Sequence, residues 1–172
     1  MEEQVKDPAR NSKRYGRTMG QREVLSGMIR SKLKQPKRKP EDELFSEYIR
    51  KRAIMVEGGC QRCGAKKYDI LKDNGKVLEA WRQLDCAHLI SRVHHGTRWD
   101  ESNGQGLCSG CHFYIDREPK VKELFIIEKI GLYTYQALLL RKAGVHHIDH
   151  AAVILYLKKL IEGLNYEPPW RE

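Results

Sequence analysis

Residues 84–112, LDCAHLISRVHHGTRWDESNGQGLCSGCH, gather in one stretch the side chains that hydrolysis of a phosphate ester requires. His88 ends an apolar run, Asn103 follows fifteen residues later, and Cys108-Ser109-Gly110-Cys111-His112 closes the set. Such hydrolysis needs a base to activate water, a cation to neutralise the charge building on the phosphate, and a group that stabilises the leaving oxygen. A neutral imidazole accepts a proton near neutral pH as few side chains do, so His88 is the candidate base. The amide of Asn103 could hold the backbone or the ring of that base, or give an oxygen to a metal. His112 can hand a ring nitrogen to a divalent ion. Arg92 and Arg98, between His88 and Asn103, are the cations best placed to grip a scissile strand.

Upstream, Cys60-Gln61-Arg62-Cys63 supplies a second C-x-x-C. Each tight C-x-x-C turn presents two sulfurs on one side, so Cys60, Cys63, Cys108 and Cys111 can close a tetrahedral zinc site. Four protein ligands fill that geometry, which makes the expected zinc structural rather than catalytic. Cys86, two residues before His88, is the odd thiol of five and is expected to pack in the core.

These groups must be positioned by short elements. Glu41-Asp42-Glu43 after Pro40 puts acid at a helix start, with Leu44, Phe45, Tyr48 and Ile49 on one face and Arg50-Lys51-Arg52 closing the helix. Asp73-Asn74-Gly75 predicts a hairpin between YDILK and KVLEAW, and LDCAHLI reads as a third strand. HFYIDRE predicts a helix opening at the second thiol pair. Pro119 starts another, with Leu124, Phe125, Ile127 and Ile130 inward and Gly131 after its end. Tyr133 to Ala143 is a further helix, and Asp149 caps a last one through Ala152, Leu155, Leu160 and Ile161 to Gly163.

Charge divides the chain at Pro40. Residues 1–40 hold twelve Lys and Arg against four Asp and Glu, net +8 of the total +9. A concentrated basic segment recruits a polyanion through counterion release, nucleic acid above all, and Lys37, Arg38 and Lys39 are its densest cations. Within it, Val24, Leu25, Met28, Ile29 and Leu33 recur at helical spacing, giving one short amphipathic helix that could dock on the domain or on a second copy. A homodimer is therefore one expected assembly. Two C-x-x-C pairs suit a metal in a reducing compartment better than a disulfide framework. No run approaches the roughly 18 apolar residues of a membrane span, and MEEQVKDPAR lacks the apolar core of a signal peptide. A cytoplasmic protein without membrane contact is expected.

DCAHLI, Asn103 five residues before Cys108, and LCSGCH together resemble the HNH endonucleases of the His-Me finger class. Within that class the chain is most similar to the phage NinG/Rap recombination endonucleases, through CQRCG, Asp85 three residues before His88, and ELFIIEKIG ahead of a helical tail. The similarity spans roughly residues 42–164. It implies an α+β fold: a small zinc-stapled ββα-metal core with flanking N- and C-terminal helices, after an arm over residues 1–40. It also implies a two-stranded ribbon and helix around one Mg2+ or Mn2+ ion, with His88 as base, Asn103 as its orienter and His112 as a metal ligand. Many HNH enzymes carry an acidic ligand immediately before the base, where this chain has Ala87. Asp85 has the same strand parity and could take that role. NinG/Rap members tend to have Asn in the place of His112. His94, His95 and Asp116 stand in reserve.

The expected function is metal-dependent DNA cleavage on branched or recombining phage DNA. The alternatives are a general nicking or homing HNH nuclease and a non-catalytic zinc module that binds nucleic acid through its arm. The charge partition yields a direct expectation. Deleting residues 1–40 weakens DNA binding and flattens its salt dependence, by about 0.9 in the log-log slope for each phosphate that is no longer neutralised. A salt titration of full-length and truncated protein measures this, and an unchanged slope would remove the arm from the electrostatics.

Overall fold

The computed structural model describes residues 39–144 and 147–166. Lys37, Arg38 and the helix expected over residues 24–33 lie outside the described residues.

Helix α1, Pro40–Glu57, starts at a proline and is capped where Asp42 Oδ2 accepts the Lys39 N–H at 3.1 Å. The expected end at Arg52 is corrected: Ala53 and Ile54 carry the apolar face onward. The helix stops only where Gly58 adopts φ 66° and returns its N–H to the Ile54 carbonyl at 2.8 Å. The hairpin forms as β1, Ile70–Leu71, and β2, Val77–Leu78, in register Ile70↔Leu78 and Leu71↔Val77. It is shorter than YDILK and KVLEAW imply. The Asp69 carboxylate caps Ala80 N–H, turning the chain into a 3-10 turn over Ala80–Gln83 that buries Trp81.

Strand β3, Asp85–His88, pairs antiparallel with β4, Gly104–Leu107, in register from Asp85↔Leu107 to His88↔Gly104. The β4 sequence GQGL has poor strand propensity, yet all four residues are buried. Its glycines admit α1: a Cβ at Gly104 would sit 2.6 Å from the Ile49 side chain, and one at Gly106 2.4 Å from Ala53 Cβ. Helix α2, Ser109–Arg117, follows directly, so Asp85 to Arg117 runs strand, loop, strand, helix.

Three helices complete the architecture: α3 Pro119–Ile130, α4 Leu132–Ala143 and α5 His150–Gly163. Asp149 caps α5 by accepting the Ala152 N–H at 3.0 Å. Three residues expected on apolar faces are corrected. Leu124 and Leu155 are 69% and 58% exposed and Ala152 is exposed too, while Phe125, Ile126 and Leu157 are buried. Each stripe is rotated by a residue or two because α3 packs toward α2 and α4, and α5 toward α1.

Buried residues divide into two clusters. Trp81, Leu84, Leu107, Ile115, Phe125 and Ile126 gather under α2 and α3; Phe45, Tyr48, Ile49, Trp99 and Leu157 gather between α1 and α5. Glu101 joins the second cluster's elements by accepting the hydroxyls of Tyr48 on α1 and Tyr156 on α5. No helix among the described residues is long and apolar enough to cross a membrane.

The helix-on-glycine contact is directly testable. Gly106→Ala should destabilise the protein by about 1–3 kcal/mol through overpacking. Gly110→Ala, where an added Cβ meets nothing within 4 Å, should be neutral or slightly stabilising. Urea unfolding of both variants reads the contrast, and equal effects would refute the close approach.

Candidate functional site

The four thiols meet as their spacing predicts. Gly59 allows the first turn, because a Cβ there would lie 2.1 Å from the Ala65 carbonyl oxygen; the Cys60 N–H donates to that same carbonyl at 3.0 Å. Gly64 closes the turn at φ 69° with its N–H on the Cys60 carbonyl at 2.9 Å. Cys108 is the N-cap of α2 and Cys111 lies in its first turn. Gln61 fastens the first pair to β4: its N–H donates to the Gly106 carbonyl at 3.0 Å and its Oε1 accepts the Gly106 N–H at 2.7 Å.

All four sulfurs lie within 4.8 Å of one another, with Cys63 and Cys108 Sγ 3.9 Å apart. Tetrahedral zinc with Zn–S bonds of about 2.3 Å separates its sulfurs by about 3.8 Å, so the group could hold a metal ion such as zinc. Burial opposes ionisation of Cys60, but backbone hydrogen bonds from Cys63, Cys108 and Arg62 outweigh it and bring its pKa to about 7. Arg62 Nη1 also approaches Cys111 Sγ at 3.6 Å.

His88, the last residue of β3, is half-buried beside the Phe45 ring, with 5.3 Å between ring centroids. Its Nε2 lies 3.0 Å from the Arg98 carbonyl. That oxygen can only accept, so Nε2 carries the proton and Nδ1 is the ring nitrogen left to take one up. Burial is the main influence on the ring and lowers its pKa to about 4 from an ordinary 6.5. Between these values the unfolded chain binds a proton that the folded protein refuses. The stability held in neutral His88 is therefore complete above pH 6.5 and is lost as the pH falls through about 4.

The loop between the strands is clamped from within. Asn103 is fully buried; its Oδ1 accepts the Ile90 N–H at 2.6 Å, and its Nδ2 donates to the carbonyls of Ile90 at 3.0 Å and Thr97 at 2.8 Å. Its geometry favours holding the backbone that follows His88. A metal-ligand role is corrected, since its oxygen is buried and already accepts a hydrogen bond. Arg98 is likewise corrected as a strand-gripping cation. It is 7% exposed, and its Nε and Nη2 lie 2.8 and 2.6 Å from the two Asp42 oxygens. A guanidinium so paired is not offered to a ligand. Lys39 stands at the N-cap of α1.

A cleft of about 580 Å³ runs along the β3 side of the ribbon, lined among others by Asp85, Cys86, His88, Arg92, His112 and Asp116. His112 bridges two carboxylates, with Nδ1 3.5 Å from Asp85 Oδ2 and Nε2 3.4 Å from Asp116 Oδ2. Lys122 pairs with the other Asp116 oxygen at 2.8 Å. Ala87 is fully buried in the core and does not line this cleft, whereas Asp85 does. His94 and His95 lie in the loop and do not line it; His95 faces Trp99, 6.3 Å between centroids. Burial pushes the Cys86 thiol up to about 12, leaving it protonated.

The cleft also contains Asp42, Ser46, Arg50 and Lys122, which sequence reasoning missed. The first three recur every fourth residue along α1, on the flank of the face that buries Ile49 and Ala53, and that spacing was the available signal. Lys122 gave none.

Metal content separates the thiol cluster from the His112 cleft. Cys63→Ser should lose bound zinc and melt at lower temperature, because thiolate–zinc binding is part of the folding free energy. His112→Ala, whose ring faces Asp85 and Asp116, should keep its zinc. Atomic absorption on the purified variants decides this, and equal zinc loss in both would put His112 in the thiolate cage.

Compared with known protein families, curated proteins and solved structures, the chain matches none.

Proposed function

We propose that the protein is a metal-dependent DNA endonuclease, acting on branched or recombining DNA of the kind attributed to the NinG/Rap nucleases it resembles in sequence. One observation carries this reading: a neutral imidazole with its Nε2 proton committed to a carbonyl, its Nδ1 available, in the same cleft as two carboxylates and a second imidazole. His88 takes the proton of the attacking water through Nδ1. Its depressed pKa keeps the ring unprotonated throughout the neutral range. Arg92, on the same cleft wall, lies where a phosphate would be drawn in.

Asp85 and His112 Nδ1 would hold a divalent cation; Asp116 lies against the opposite ring nitrogen and stands outside that pair. The 3.5 Å between their donor atoms suits this, since adjacent donors around Mg2+ at about 2.1 Å lie about 3 Å apart. When bound, Mg2+ or Mn2+ supplies neutralisation of the charge that develops on the phosphate. The thiolate cage stands apart from this chemistry and braces β4 and α2 through Gln61, Cys108 and Cys111. A reducing cytoplasm, the host's if the chain is phage-encoded, suits four free thiols.

Cleavage of four-way junction, nicked and linear duplex DNA with and without Mg2+ tests the proposal. His88→Ala should lose roughly 100- to 10,000-fold in rate while keeping its fold and zinc. Preference for the junction supports the recombination reading, and indifference to shape supports a general nicking or homing nuclease. Binding by the wild type without any cleavage would replace both with a non-catalytic zinc module.

A further inference from the structure

The carbonyl that accepts the His88 proton belongs to the peptide group joining Arg98 to Trp99, and both of those side chains hold one carboxylate. Arg98 reaches Asp42 through Nε at 2.8 Å and Nη2 at 2.6 Å, and Trp99 Nε1 donates to Asp42 Oδ1 at 3.0 Å. With the Lys39 N–H at 3.1 Å on Oδ2, the carboxylate accepts four hydrogen bonds. That fills its acceptor positions and fixes it in both distance and rotation.

A helix cap needs only the Lys39 contact. The other three donors come from residues 56 and 57 positions downstream and do nothing for the cap. They pin a single peptide group at both ends. Arg98 and Asp42 side chains are 8% and 10% exposed, so the pair is shielded from water and competing ions. An unrestrained loop carbonyl can rotate away from the imidazole; this one is held against it.

We infer that Asp42 is a positioning residue for His88. Acting from the first turn of α1 through the side chains of Arg98 and Trp99, it keeps the Arg98 carbonyl on Nε2 and so aims Nδ1 at the cleft. The consequence for rate rests on the nuclease reading; the effect on the imidazole does not.

Two measurements on the full-length, zinc-loaded protein test this. In the wild type the His88 Nε2–H should give a resolved, exchange-protected imidazole N–H resonance. In Asp42→Asn and Arg98→Lys it should exchange with water and vanish, while zinc content and the amide protection of α1 remain. Because Asp42→Asn leaves a buried guanidinium and can compromise folding, Trp99→Phe removes one anchor more gently and should weaken the same signal. In cleavage, the variants should lose up to about 100-fold in kcat with KM little changed, as expected for a misaimed base. A protected N–H and unaltered kcat in folded Asp42→Asn would overturn the inference. Loss of the N–H signal in a protein whose wild type cuts no DNA would instead overturn the nuclease reading and leave the positioning role intact.

Discussion

The passage of α1 over the glycines of β4 is the constraint from which the rest of the architecture follows. At Gly104 and Gly106 the helix comes too near for a Cβ, so Ile49 and Ala53 rest on the ribbon backbone itself. That contact fixes where both ends of α1 lie. Its first turn delivers Asp42 to the loop after β3, and its C-cap at Gly58 leads within two residues into Cys60. One helix therefore sets both the placement of His88 and the entry to the four-cysteine cluster. Its two long faces also serve separate cores, Ala53 and Ile54 on one side and Phe45 and Tyr48 on the other.

The candidate site is organised by backbone atoms more than by side chains. His88 is oriented by a carbonyl, Asn103 by two carbonyls and an amide, and the first thiol pair by the amide and carbonyl of Gly106. Such groups cannot be altered by point substitution, only displaced. The side chains that do matter at a distance are those, like Asp42 and Gln61, that pin backbone in place. Their removal is felt as misalignment while every reacting group is still present.

Local signals were legible wherever their physics is local. Two C-x-x-C turns, Asp-Asn-Gly, Pro119, Asp149 and the glycines after helices each specify a conformation within four residues, and each appears where its spacing indicates. The site was legible as residue types in order. Its internal assignments were not, because they depend on partners far along the chain. Arg98 reads as a surface cation until Asp42, 56 residues earlier, is brought against it. Strand β4 carries no strand signal of its own because glycine disfavours strands, and the approach of α1 explains why glycine is needed. The stripes of α3 and α5 differ from their expected faces by a residue or two, since several apolar neighbours allow more than one face and the packing partner chooses among them.

The order in which a ribosome releases the chain gives the Gln61–Gly106 link a further meaning. Helix α1, the first thiol pair, the hairpin and β3 emerge while β4 and the second thiol pair are still unmade. Until residues 103–107 are free, His88 has no strand beside it and no Asn103 to hold its loop; until Cys108 is free, the cluster has only two of its four thiols. Both needs are met by the same nine residues, 103–111, which clamp the loop, pair with β3, receive Gln61 and bring the last sulfurs. The placement of His88 and the four-thiol cluster are thus completed together, so a chain cut short before this segment carries neither.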